Sequence, residues 1–124
     1  MSSLQRIKLG RWGEQIAAVY LRNQGYTILR TNLRTPFGEI DIVASQGKTL
    51  VFVEVKTRKS SALGLPEISV TPKKFSHMLL SAQSYLLAHP ELTQDWRIDV
   101  ISIRQQPAGQ PPEIVQFENV NDVR

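Results

Sequence analysis

Two short charged clusters hold the chemistry available to this chain. They are Gly38-Glu39-Ile40-Asp41 and, with twelve residues between, Glu54-Val55-Lys56. The second is embedded in an apolar run that starts at Leu50 and passes through Val51, Phe52 and Val53. An unpaired ion removed from water costs several kcal/mol or more, so a buried-type strand that keeps a glutamate and a lysine needs a reason for them. Carboxylates from two strands, with a lysine beside them, are the parts of a metal-dependent site that cuts phosphodiester bonds.

Strand register turns this into geometry. Side chains alternate faces along a strand, so Glu39, Asp41 and Val43 share one face and Ile40, Ile42 and Ala44 the other. In the next run Leu50, Phe52, Glu54 and Lys56 share a face. Between the runs, Gly47-Lys48 suits a two-residue type II′ hairpin turn. Gln46 then pairs with Thr49, Asp41 faces Glu54 and Glu39 faces Lys56, with opposed Cβ atoms ~5 Å apart. Two opposed carboxylates repel each other, and a hard divalent ion with oxygen ligands, Mg²⁺ or Mn²⁺, removes the conflict. The plainer reading makes Glu39–Lys56 and Glu54–Arg58 ion pairs on a solvated sheet face. Leu50 and Phe52 on the same face argue for cover there.

The elements that must position these groups follow from periodicity. Residues 4–24 predict a helix: Leu9, Trp12, Ile16 and Val19 or Tyr20 recur at helical spacing, Ser2 or Ser3 caps the start and Gly25 suits the residue after the end. Residues 26–34 predict a strand, Pro36-Phe37-Gly38 a turn, and the two charged runs the next two strands. Residues 58–71 are polar, with Gly64 and Pro66, and predict a long loop of the functional kind. Thr71-Pro72 opens a second helix with Phe75, Leu79, Ala82 and Leu86 as its apolar stripe, ending near His89-Pro90. Residues 96–104 predict a strand parallel to an earlier one, because a helix separates them. Residues 113–120 predict a last edge strand. The order α-β-β-β-α-β-(β) is an α/β sandwich, a central mixed sheet flanked by helices, in one domain over residues 1–124.

Charge is segregated along the chain. Residues 1–74 hold 12 Lys and Arg against 5 acids, and residues 75–124 hold 3 against 6. Four of the five acids in the first part are Glu14, Glu39, Asp41 and Glu54, so outside them that part is almost purely basic. Carboxylates ringed by cations fit a polyanionic substrate. Arg58 and Lys59 are phosphate contacts or else ordinary charges at a strand end. Lys73 and Lys74 occupy a first helical turn, where the macrodipole disfavours cations, a mild misfit that points to ligand binding. Trp12, Tyr20 and Phe75 read as core. His77 and His89 have no metal-type spacing. The hydrophobic content of 41% supports a core, and the absence of cysteine rules out a disulfide framework or a thiolate zinc site. With no signal-peptide pattern and no apolar run of spanning length, the expectation is a cytoplasmic protein that does not enter a membrane.

These residues carry a resemblance. Gly13-Glu14, Gly25-Tyr26, Asn32, Gly38-Glu39-Ile40-Asp41, Phe52-Val53-Glu54-Val55-Lys56-Thr57-Arg58, Gly64-Leu65-Pro66 and Lys73-Lys74 resemble the YraN family of small bacterial proteins. The element order, with Asp on the second strand and Glu-x-Lys on the third, resembles the restriction-endonuclease-like superfamily and, within it, the archaeal Holliday junction resolvases. The superfamily's motif often has proline before the aspartate, where this chain has Ile40. The resemblance implies that Asp41, Glu54 and the carbonyl of Val55 ligate Mg²⁺ or Mn²⁺, with Glu14 completing the shell. It implies that Lys56 orients the attacking water. Glu39 is an extra acid beside that motif, placed to hold Lys56 or to bind a second ion. The implied activity is a nuclease acting on DNA, on branched DNA in repair or recombination, and a junction cutter implies a homodimer. The alternative is a nucleic-acid-binding protein that keeps the fold and does not cleave.

Overall fold

The computed structural model describes residues 2–59 and 71–120. Helix α1 (Ser3–Asn23) begins where the Ser2 hydroxyl accepts a hydrogen bond from the Gln5 amide and the Ser2 amide donates to Gln5 Oε1, a reciprocal capping box. Strands β1 (Thr27–Thr35), β2 (Gly38–Gln46) and β3 (Thr49–Arg58) follow as an antiparallel meander. Helix α2 (Pro72–Ala88) starts at Thr71, whose hydroxyl accepts from the Lys74 amide at 3.1 Å, with proline in the first turn. Strand β4 (Trp96–Arg104) pairs parallel to β3, and β5 (Glu113–Phe117) closes the sheet antiparallel to β4. Spatial order is β1-β2-β3-β4-β5. Parallel neighbours cannot be joined by a hairpin, and α2 supplies the crossover. This is the α/β arrangement the sequence pattern predicts. The segment containing Gly64, Leu65 and Pro66 lies outside the described residues.

Each helix covers one face of the sheet. On one, Ala17 and Leu21 of α1 pack on Ile42, Ala44, Val51, Val53, Ile101 and Ile103. On the other, Ala82 and Tyr85 of α2 pack on Ile40, Val43, Leu50, Phe52, Ile98 and Val100. Phe52 meets Tyr85 and Trp96 edge-on, both at 5.8 Å between ring centres, a geometry that aligns ring edges with ring faces. Trp12 and Tyr20 are half-buried against the α1-side core, as expected, while Phe75 is half-buried and joins neither cluster. Strand β3 is buried on both faces from Leu50 to Val53 and half-buried from Glu54 onward. The charges in its apolar run therefore start where helix cover ends, so neither Glu54 nor Lys56 bears the full cost of the interior.

Asp99 is the exception, fully buried beneath α1's side of the sheet. It accepts from Arg97 Nε at 3.0 Å, Gln116 Nε2 at 2.9 Å and the Asn119 amide at 2.9 Å. Arg97 also reaches the Tyr26 hydroxyl at 2.9 Å and Gln46 at 3.1 Å. A buried carboxylate supplied with this many donors is retained without a catalytic role. The network ties β4 and β5 to the start of β1.

Candidate metal centre

The β2–β3 hairpin fixes the centre. Gln46 pairs with Thr49, and Gly47 sits at φ 57 while Lys48 stays out of the left-handed region, the combination a type II′ turn requires. The ladder then runs outward to Ile42–Val53, as expected, and stops there. Asp41 does not pair backbone to backbone with Glu54, nor Glu39 with Lys56. Instead Asp41 Oδ2 accepts from the Val55 amide at 2.8 Å, so the side chain takes the place of the next rung.

The strict alternation expected for β2 also fails at this point. Ile42 and Ala44 lie in the α1-side core as expected, but Ile40 joins Val43 in the α2-side core. The cause is on the neighbouring strand. Thr31 pairs with Ile42 and Leu33 with Ile40, and Asn32 between them has φ 50. A left-handed residue interrupts the pleat, and asparagine is among the few side chains that tolerate it. Asn32 lies between these pairs, opposite Asp41, where Ile40 and Ile42 pass to opposite faces.

Helix α1 brings the fourth acid. At Gly13 it crosses β3 so closely that a Cβ would fall within 3.0 Å of Thr57 Cβ and Cγ2 and closer still to its hydroxyl. Glycine at this crossing lets the next residue, Glu14, reach the strands. Glu14, Glu39 and Asp41 each offer a carboxylate oxygen within 4.8 Å of the others. With its amide turned to donate, Asn32 lies 2.8 Å from Glu14 Oε1 and 3.1 Å from Glu39 Oε1. The residue that breaks the pleat thus also holds two of the acids.

The acids repel one another. Burial and the neighbouring Glu54 raise the Asp41 carboxyl from 3.8 to about 7, against the lowering effect of the Val55 amide. Glu14 is also raised, first by burial and then by Glu39 and Glu54, with Arg11 and Asn32 opposing. Three or four acids that cannot all ionise comfortably are a donor set for a hard cation, which would hold them ionised.

Not every expected residue lies where the sequence puts it. Glu14 and Asp41 converge, and Glu39, which had two possible roles, belongs to the same group. Glu54 acts on Asp41 electrostatically but is held by Lys74 Nζ at 2.8 Å. Lys74, expected to contact nucleic acid, is thus bound to an acid of the centre, and that pairing accounts for a cation in the first turn of α2. Lys73 is exposed there. Val55 meets Asp41 through its amide. Lys56 and Arg58 are half-buried at the end of β3, and Lys59 is exposed just beyond it. Sequence reasoning assigned no role to Asn32. Its legible signs are its place in the family resemblance and a turn-forming residue type inside a predicted strand.

Comparison with known proteins places the chain. The model of the uncharacterised protein family UPF0102 matches residues 13–103. A UPF0102 protein of Syntrophotalea carbinolica is 46% identical over 119 residues, covering 96% of this chain and 95% of that one. One from Dehalococcoides mccartyi is 47% identical over 98 residues, 79% and 81% of the two chains. One from Caldicellulosiruptor bescii is 50% identical over 99 residues, 77% and 82%. The chain belongs to the UPF0102 family, and the YraN resemblance is borne out.

Proposed function

We propose that this UPF0102 member is a metal-dependent nuclease that hydrolyses phosphodiester bonds in nucleic acid, with branched or structured DNA as substrate. The convergence of Glu14, Glu39 and Asp41 carries this reading: three carboxylate oxygens within 4.8 Å of one another, on a chain whose first 74 residues are otherwise almost all basic in charge. An acid on α1, Asp41 on β2 and Glu54-x-Lys56 on β3 support placing the fold in the restriction-endonuclease-like superfamily.

Glu14, Asp41 and Glu39 would hold Mg²⁺ or Mn²⁺, with Glu54 joining once Lys74 releases it. Bound there, the ion would polarise a phosphoryl oxygen and lower the pKa of water. The chain's own groups do the rest. The Val55 amide anchors Asp41 through Oδ2. Asn32 holds Glu14 and Glu39 in place. Lys56, two residues from Glu54 and half-buried, offsets charge that builds on the phosphate and orients the attacking water. Lys74, freed from Glu54, is a second cation for the same phosphate. The water oxygen bonds to phosphorus, the ester P–O bond breaks, and the leaving oxygen takes a proton. A junction substrate, with two strands to cut, calls for a homodimer.

The test is cleavage of labelled duplex, single-stranded, flap and four-way-junction DNA in Mg²⁺, Mn²⁺ or EDTA. Cutting is expected with metal only, preferentially on the branched DNAs, and lost in Asp41→Ala and Lys56→Ala. Cutting that survives both substitutions, or no cutting of any substrate, would sink the proposed centre. A metal-independent, salt-sensitive gel shift without cutting would then favour a binding protein.

A further inference from the structure

A second groove lies on the other flank of α1. Where α1 crosses β3 at Gly13, Glu14 reaches toward β1 and β2, while Trp12 turns toward the ends of β3 and β4. Gln5, Lys8, Leu9 and Trp12 line one wall, and Lys59 and Gln105, just past those strand ends, line the other. Its volume is about 310 Å³, at the lower end of small-ligand pockets. We propose that this groove binds an unpaired nucleotide of a nucleic-acid strand, stacking its base on Trp12 and placing its phosphates against Lys8 and Lys59.

Three observations carry the assignment. Trp12 is half-buried: one side packs on the α1-side core, and it also lines the groove. A ring anchored on one side and open on the other is a rigid stacking platform. Its described neighbours in the groove are two exposed lysines, two neutral amides and Leu9, with no acid among the described lining residues. Finally, Arg6, Lys8 and Arg11 are the charged residues of the chain before Glu14, all three exposed. Arg11 acts electrostatically on Glu14, so cations extend from the carboxylates to the groove. A base inside a duplex has both faces covered by neighbouring pairs and offers none to Trp12, so the occupant is an unpaired base.

The proposal deepens the nuclease reading by adding a site for substrate beside the cut, but its test needs no cleavage. In EDTA, the Trp96→Phe protein has Trp12 as its one indole, because the chain has two tryptophans. Titration with an eight-nucleotide oligo(dT) is expected to quench Trp12 fluorescence, and a blunt duplex of equal length to quench it far less. Trp12→Leu is expected to weaken oligo(dT) binding about ten-fold or more, from the usual contribution of one stacked base. Lys8→Ala with Lys59→Ala, both at exposed positions, is expected to weaken it several-fold with unchanged circular dichroism. Binding without quenching, equal quenching by duplex, unaltered affinity in the lysine variant, or no binding at all would overturn the proposal. A chain that quenches but does not cut removes only the nuclease reading, and one that cuts without quenching removes only the groove.

Discussion

Asp41 concentrates the conflict from which the proposed activity follows. Its carboxyl titrates at about 7 where an ordinary aspartate titrates at 3.8, because burial and Glu54 both oppose its charge. The native state therefore holds the proton more tightly than the unfolded chain does. That contribution to stability is fully present below about pH 3.8 and is lost as pH rises through 7, with an upper bound of roughly 4 kcal/mol for a shift of this size. Without metal, Asp41→Asn is expected to raise the melting temperature at pH 7.5 by several degrees and to flatten its decline between pH 4 and 7, since the amide oxygen can still accept from Val55. Added Mn²⁺ is expected to raise the wild-type melting temperature at pH 7.5 and to leave Asp41→Asn nearly unmoved. Thermal scans across pH, with and without the ion, read all of this. A wild-type protein indifferent to Mn²⁺ would mean the carboxylates do not act together on a cation. Raised Glu14 works in the same direction as Asp41, so the substitution removes part of the pH dependence and not all of it.

The contact between α1 and β3 decides whether Glu14 belongs to the centre at all. Alanine in place of a helical glycine ordinarily stabilises by about 1 kcal/mol. At Gly13 the new methyl would collide with Thr57, and overpacking of that kind costs about 1–3 kcal/mol. The collision wins, so Gly13→Ala is expected to lower stability in urea unfolding and to weaken Mn²⁺ binding as the helix lifts Glu14 away. Thr57→Ala in the same chain removes the two nearest atoms and is expected to recover part of both losses. A Gly13→Ala protein as stable as wild type would show that the helix has room to spare. The crossing also marks the limit of what the sequence tells. Helix spacing, the Ser2 and Thr71 caps and the Gly47 turn are encoded in neighbouring residues, and all are legible there. The hairpin register follows from the turn, and the structure keeps it as far as Ile42–Val53. What lies beyond depends on residues distant in sequence. Asn32 breaks the pleat opposite Asp41, Gly13 admits Thr57, and Lys74 finds Glu54. Alternation from the turn outward pairs Asp41 with Glu54 across the ladder, whereas in the folded chain Asp41 bonds the Val55 amide and has Glu54, Glu14 and Glu39 all acting on it. The acids of the site were legible by type, and the resemblance already set Glu14 beside Asp41, but the Asn32 amide between Glu14 and Glu39 and the Lys74 contact to Glu54 were not.

Taken over the molecule, charge and architecture divide the labour. The basic residues are concentrated in α1, in the meander and at the start of α2, the elements that carry the carboxylates and Lys74. The acid-rich remainder supplies β4, β5 and the buried Asp99 network, which hold the far side of the sheet. No helix among the described residues is long and apolar enough to cross a membrane. On the proposed function, a polyanion would be met by one side of the protein, and its affinity would depend on salt. Arg6, Lys8, Arg11 and Lys59 are exposed on α1 and beside the Trp12 groove. If these four each meet one phosphate of a single strand, log K falls with log salt at a slope of about −0.7 per contact. Between 50 and 200 mM salt, that corresponds to a loss of roughly fifty-fold in affinity, measured by fluorescence anisotropy in EDTA so that no cutting intervenes. Removing Lys8 and Lys59 is expected to halve the slope, because it removes two of the four contacts and leaves the fold untouched. Substituting Lys48, exposed at the β2–β3 turn and at the opposite end of β3 from Lys59, is expected to leave the slope unchanged. Equal slopes in all three proteins would mean that the bound strand follows some other face.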